Sequence, residues 1–172
     1  MYRIKSFMLM NVENTQGKKI GYINDLLINF YERKVTGFEV TPYSMLKKCA
    51  YVQLEDVISY NKKMIVNRLS TRRSIPFSYI RNMDVIDKHG SIIGMVEDIM
   101  FDSSNFEIQG MIVSTGLVQN LTKGKKIILQ KECIIGCENV FYFGDNNKLN
   151  FISKLHRLTL EVKKDEKNEK DI

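Results

Sequence analysis

Gly17-Lys18-Lys19-Ile20-Gly21, then Asp25-Leu26-Leu27-Ile28, then Val35-Thr36-Gly37-Phe38-Glu39-Val40, form a pattern that returns later in the chain. The second copy reads Gly90-Ser91-Ile92-Ile93-Gly94, then Asp98-Ile99-Met100-Phe101, then Ile108-Gln109-Gly110-Met111-Ile112-Val113. Glycines and aspartate keep one offset of 73 residues. A further match, Gln53-Leu54-Glu55 against Gln130-Lys131-Glu132, has an offset of 77, so the second copy is expected to carry four extra residues between its middle and later parts. The chain reads as a tandem duplication of a unit of about 70 residues.

Apolar runs around these motifs are short and rich in Ile, Val, Phe and Tyr, which favours strands. Strands are expected near 3–10, 19–29, 34–41, 50–53, 56–60 and 64–68. Their counterparts fall near 79–86, 92–102, 106–114, 126–130, 133–136 and 140–144. Many short strands at regular spacing predict an all-β fold of two tandem small closed barrels, since closure removes exposed sheet edges. The expected division is 1–70 for the first barrel, 71–78 for a basic linker containing Pro76, and 79–150 for the second barrel. Within 151–172, Phe151 to Val162 carry apolar residues on one side and predict a short helix; the charged tail from Lys163 is expected to be disordered.

The motif has its own physics. Ile20, Ile23, Leu26 and Ile28 are spaced 3, 3 and 2, which predicts a strand kinked or bulged near Gly21. Gly37 and Gly110 lie inside apolar strands, where glycine marks a bend or the close approach of another backbone. Asp25 and Asp98 sit among apolar neighbours. We read them as carboxylates accepting backbone N–H bonds at the kink, in preference to a catalytic or metal-binding role. The structural motif is therefore Gly17, Gly21, Asp25 and Gly37, with Gly90, Gly94, Asp98 and Gly110.

The 172 residues carry 26 basic and 20 acidic side chains, a net charge of +6 that permits an anionic partner without demanding one. Arg68, Arg72 and Arg73 at the linker, with Lys123, Lys125 and Lys126 in a loop of the second copy, are the candidate cations for such a partner. The tyrosines Tyr43, Tyr51 and Tyr79 are too scattered to make a stacking platform. Cys49, Cys133 and Cys137 are odd in number, and no secretory signal or membrane-length apolar run accompanies them. Free thiols and a cytoplasmic setting are expected. Cys133 and Cys137 have half the spacing of a zinc site, which Cys49, His89 and His156 would have to complete from distant positions; buried small hydrophobes are the simpler reading. His89 lies in a turn, tied to no nucleophile motif, and no phosphate loop is present. No cofactor is expected.

The Gly-x-x-Ile-Gly opening, the Asp-apolar-apolar run and the apolar-x-Gly-apolar-x-Val segment resemble the PRC-barrel family, over residues 3–68 and again over 79–145. The resemblance implies small barrels without catalytic activity. It points to two characterised settings: the cytoplasmic part of a photosynthetic reaction-centre subunit, and a bacterial ribosome-maturation factor whose barrel binds a ribosomal protein. The first has a transmembrane helix and the second an N-terminal partner domain, neither of which is seen here. Family members that stand alone occur in spore-forming bacteria. The expected function is a non-enzymatic, protein-binding adaptor, with a homodimer as one way to bury more surface. The alternative is RNA or ribosome association through the basic linker and loop.

Overall fold

The computed structural model describes residues 1–44, 46, 48–71, 74–116, 124–145 and, for the backbone, 150–151. The first half holds β1 (Tyr2–Arg3), β2 (Asn11–Asn14), β3 (Lys19–Asn29), β4 (Lys34–Pro42), β5 (Ala50–Gln53), β6 (Val57–Tyr60) and β7 (Lys63–Val66). The second holds β8 (Ile75–Pro76), β9 (Asp84–Asp87), β10 (Ile92–Phe101), β11 (Ile108–Ser114), β12 (Lys125–Leu129), β13 (Cys133–Ile135), β14 (Asn139–Tyr142) and β15 (Asn150–Phe151). The fold is all-β. Short 3-10 turns at Ile4–Ser6, Leu54–Asp56, Phe77–Tyr79 and Gln130–Glu132 are the helical elements among the described residues.

Each half is one curled sheet with the same strand order: β5-β4-β3-β2-β7-β6 in the first and β12-β11-β10-β9-β14-β13 in the second. Neighbours are antiparallel except β2 with β7 and β9 with β14, which run parallel. Closure is partial. In the first half a bridge between Tyr51 and Ser70 covers β5, and in the second β15 covers β12. Phe151 thus extends a strand where a helix was expected to begin; the rest of that helix and the tail lie outside the described residues.

The expected first strand of each copy is broken. Ile4 and Phe7 are both buried, a spacing of three that suits a 3-10 turn and not a strand. The second copy repeats this with Phe77 and Ile80. Leu9 and Asn82, 73 residues apart, both take positive φ, at 63° and 69°, as the chain leaves these turns. The spacing in β3 is explained by bulges: its pairing slips between Lys19 and Gly21 against β2, and between Ile23 and Asp25 against β4. β10 slips at the matching places. A Cβ on Gly37 would overlap the carbonyl oxygen of Val52, and one on Gly110 would lie 2.8 Å from that of Ile128, so both glycines permit close strand approach.

The later register differs from the sequence match. Gly37 pairs with Gln53 and Gly110 with Leu129, an offset of 76 that holds through β14. The second copy therefore has three extra residues, not four. Gln130 corresponds to Leu54, and the shared Gln-x-Glu spelling is coincidental.

The halves exchange their opening strands. β1 of the first copy pairs with β10, Tyr2 opposite Phe101 and Arg3 opposite Met100. β8 pairs with β3, Ile75 opposite Ile28 and Pro76 opposite Leu27. These contacts are related by the same offset of 73, so the two copies are joined about a pseudo-two-fold axis. Near that axis Lys34 bridges Glu107: Val35 N–H donates to the Phe106 carbonyl at 3.0 Å, and Ile108 N–H to the Arg33 carbonyl at 2.7 Å. One apolar core spans both halves. Its aromatic part is one-sided. Phe7 lies with its centroid 5.2 Å from Tyr2, 5.2 Å from Phe38 and 5.9 Å from Phe101, whereas the counterparts of these four are Ile80, Ile75, Met111 and Ile28.

Candidate interaction surfaces

The duplicated aspartates are clasps for the exchanged strands. Each follows a bulge, which turns its side chain inward. Asp25 accepts N–H bonds from Leu26 at 2.7 Å and from Ser78 of the second copy at 3.0 Å. Asp98 accepts from Ile99 at 2.8 Å and from Ile4 of the first copy at 3.2 Å, and it pairs with the Arg3 guanidinium at 2.8 Å. Both are buried, and each accepts two backbone N–H bonds, with the Arg3 guanidinium added at Asp98, as a buried carboxylate requires. Two interior carbonyls near the axis are likewise satisfied from the opposite half. Gln130 Nε2 donates to Phe30 O at 2.8 Å, and the Tyr60 hydroxyl to Ser103 O at 3.2 Å.

Because the copies share a fold, equivalent surfaces can be compared directly. On the outer face of the second sheet, Ile134 pairs with Phe141, Phe141 with Ile86, and Ile86 with Ile92. Paired residues point to the same side, so four adjacent strands present one apolar row. Ile92 is 64% exposed, Ile134 55% and Phe141 41%. Met95, opposite Asp84, extends the row on the same face and is also exposed. The corresponding row of the first sheet is Ser59, Ile65, Glu13 and Lys19. There Glu13 takes an ion pair from Lys63 Nζ at 2.6 Å. The first copy keeps Ile65 in this row but has Glu13 and Lys19 where the second has Ile86 and Ile92, so the fold does not require an apolar residue at those two places.

The opposite divergence occurs at the end of the first barrel. A cleft of about 620 Å³ lies between the β2–β3 turn, the end of β4, the start of β5 and the chain leaving β7. Lys18, Lys19, Lys48 and Arg68 line it, together with Ile20, Tyr43, Val66 and Leu69. The turn that positions Lys18 is fixed by Asn14, whose Oδ1 accepts from Gln16 and Lys18 N–H groups. Among the described residues no carboxylate lines the cleft. Arg68 is committed outside it: its Nε donates to buried Asp56 at 2.7 Å, and Glu55 lies at 3.5 Å. Lys18, Lys19 and Lys48 are exposed and have no ion-pair partner among the described residues.

The six candidate cations read from sequence do not form one surface. Arg68 lines this cleft. Lys125 pairs with Glu97 in the other half, and Lys126 is partly buried in β12. Arg72, Arg73 and Lys123 lie outside the described residues. Sequence reasoning missed Lys18, Lys19 and Lys48, which only the curling of the sheet brings together.

No group of three or more His, Cys, Asp or Glu converges on a metal position among the described residues. Cys49 and Cys137 are exposed and Cys133 is buried. Burial, with Glu132 adding to it, pushes the Cys133 thiol up to about 12, so it is no nucleophile. The Tyr142 hydroxyl is also pushed up to about 12, by burial and then by Glu132. His89 sits in the Asp87–Gly90 turn, its N–H donating to Asp87 Oδ1 at 2.8 Å. No helix among the described residues is long and apolar enough to cross a membrane.

The family model for the PRC-barrel domain matches residues 1–73 and again residues 72–165. No protein of curated function matches the chain. PRC-barrel domains are protein-interaction modules. The second match begins ahead of β8, so each copy contributes its opening strand to the other's sheet. Two curled sheets with one strand order, each carrying the glycine–aspartate motif and each matched separately, place this chain in the PRC-barrel family as a tandem pair.

Proposed function

We propose that this protein is a non-enzymatic adaptor of the cytoplasm that docks a protein partner on the outer face of its second barrel. The outward apolar row Ile134–Phe141–Ile86–Ile92, exposed at all but the half-buried Ile86, carries this reading. Exposed apolar side chains scattered singly need no explanation, whereas a contiguous row across four strands marks an interaction site. Glu13 and Lys19, which stand in the first copy where Ile86 and Ile92 stand in the second, remove a folding requirement as the cause at that end of the row. Ionisable groups placed in the interior, such as Asp25, Asp98 and Cys133, are occupied in holding the structure or are inert, which supports a binding role over catalysis. Three free thiols suit a reducing compartment.

The test is affinity capture from the cells that make the protein, comparing wild type with the double variant Ile134→Ser, Phe141→Ser. Proteins retained by the wild type and lost by the variant, at equal thermal stability, are the expected result. Equal recovery on both baits would refute the reading. Sedimentation velocity decides whether a second copy occupies the face instead, since a dimer that the same variant converts to monomer would assign the row to self-association.

A further inference from the structure

We propose that the cleft of the first barrel binds an extended acidic peptide segment with interspersed aliphatic side chains, supplied by a protein partner. The inference rests on the protein-adaptor reading and gives the module a second, chemically distinct face.

Charge complementarity is the first argument. Three lysines without an ion-pair partner among the described residues face one concavity, and none of its described lining residues is a carboxylate. Other described cations without an ion pair, such as Lys5, Arg33, Lys62 and Lys131, line no part of this cleft, so what sets the cleft apart is the gathering of three such lysines in one concavity. The floor and walls are mixed. Ile20 and Leu69 offer contact for aliphatic groups, which a purely solvated basic surface would lack.

The second copy supplies the internal comparison. Where Lys18 and Lys19 stand, it has Ser91 and Ile92; where Lys48 and Arg68 stand, the register of β12 and β14 puts Gly124 and Gly144. Among the described residues, these four positions are cationic in one barrel and uncharged in the other, on the same strand framework.

Lysine ammonium groups serve carboxylate and phosphate alike as point charges, so the choice between peptide and nucleic acid rests on the rest of the lining. The lone arginine here already gives its guanidinium to Asp56 and Glu55. A run of stacking aromatics, the usual platform for single-stranded bases, is replaced by one tyrosine, whose hydroxyl bonds Asn11 and whose ring lies against Tyr22.

Fluorescence anisotropy on the full chain tests this with three labelled probes: a short Glu-Leu repeat peptide, the same peptide with Gln for Glu, and an oligouridylate. The Glu-Leu peptide should bind and weaken with added salt, and the Gln peptide should not bind. The triple variant Lys18→Gln, Lys19→Gln, Lys48→Gln should weaken binding by about tenfold, as expected for exposed ion pairs acting together. The triple Lys→Arg variant should retain it, which separates lost charge from damaged fold. Failure of the Glu-Leu peptide to bind, equal binding to wild type and the Gln variant, or tighter binding of the oligouridylate would each overturn the proposal. The Ile134→Ser, Phe141→Ser variant should leave peptide binding unchanged. Loss of the cleft's ligand and loss of the apolar docking face are therefore read separately.

Discussion

Removing the Asp98 carboxylate should release the first copy's opening strand from the second copy's sheet. In Asp98→Ala the N–H groups of Ile4 and Ile99 lose their acceptor, and Arg3 loses its partner. A buried donor left unsatisfied costs about 1–3 kcal/mol. The Arg3 side chain is 33% exposed, so water reaches its freed guanidinium and that part of the loss is small. Water entering beside it also relieves Ile4. The expected destabilisation is about 2–4 kcal/mol. Asp25→Ala removes the bonds from Leu26 and Ser78 without an arginine partner, and should cost about 1–3 kcal/mol. Urea unfolding followed by circular dichroism gives the totals. Native-state hydrogen exchange gives the location: in Asp98→Ala, protection should fall first at Tyr2 to Phe7, residues nearly 100 positions away in sequence. Unchanged stability would refute the clasp. So would a loss confined to β10 with the N-terminal strand still protected.

Two more outcomes follow from the same contacts. Residues 1–72 and 76–162 made as separate chains should each unfold well below the intact protein, because each loses the strand the other donates; fragments that melt at the parent midpoint would show that the exchange contributes nothing. Cys133 and Tyr142 are neutral when protonated and are held above their ordinary values of 9.0 and 10.0, at about 12 in both cases. Their contribution is thus fully present below about pH 9 and is lost as pH rises toward 12, because the unfolded chain releases these protons first. Alkaline denaturation of Cys133→Ala against wild type measures it, and a thiol reagent at about pH 8 should modify Cys49 and Cys137 while sparing Cys133 until the protein unfolds.

What the sequence revealed was whatever repeats or alternates. Gly17, Gly21, Asp25 and Gly37 and their partners at 73 residues expose the duplication, and the 3-3-2 spacing in Ile20–Ile28 exposes the bulges. The exchange was hidden because its strands are two residues long: Tyr2–Arg3 and Ile75–Pro76 are too short to show a period. Buried Phe77, inside the expected linker, was the available hint. The shared Gln-x-Glu misled the register because spelling outweighed geometry; Gln130 in fact turns inward to Phe30, a role Leu54 lacks. The apolar row was legible in principle, since Ile86 and Ile92 stand where Glu13 and Lys19 do. The cleft was not, because Lys18, Lys48 and Arg68 are distant in sequence and meet only when the sheet curls.

A single unit carrying this arm and this aspartate could satisfy both only by engaging another molecule, so its fold would depend on its concentration. Covalent linkage changes that dependence. With roughly 70 residues between the arms, the complementary arm is present at an effective concentration on the order of millimolar, whatever the abundance of the protein. Assembly becomes an intramolecular event that dilution does not undo. Linkage also lifts a constraint of symmetry. In a pair of identical subunits every substitution appears twice, and a cationic cleft or an apolar face would appear on both. With two halves encoded separately, one can become basic at its open end and the other apolar on its outer sheet, while the shared clasp holds them in a fixed relation.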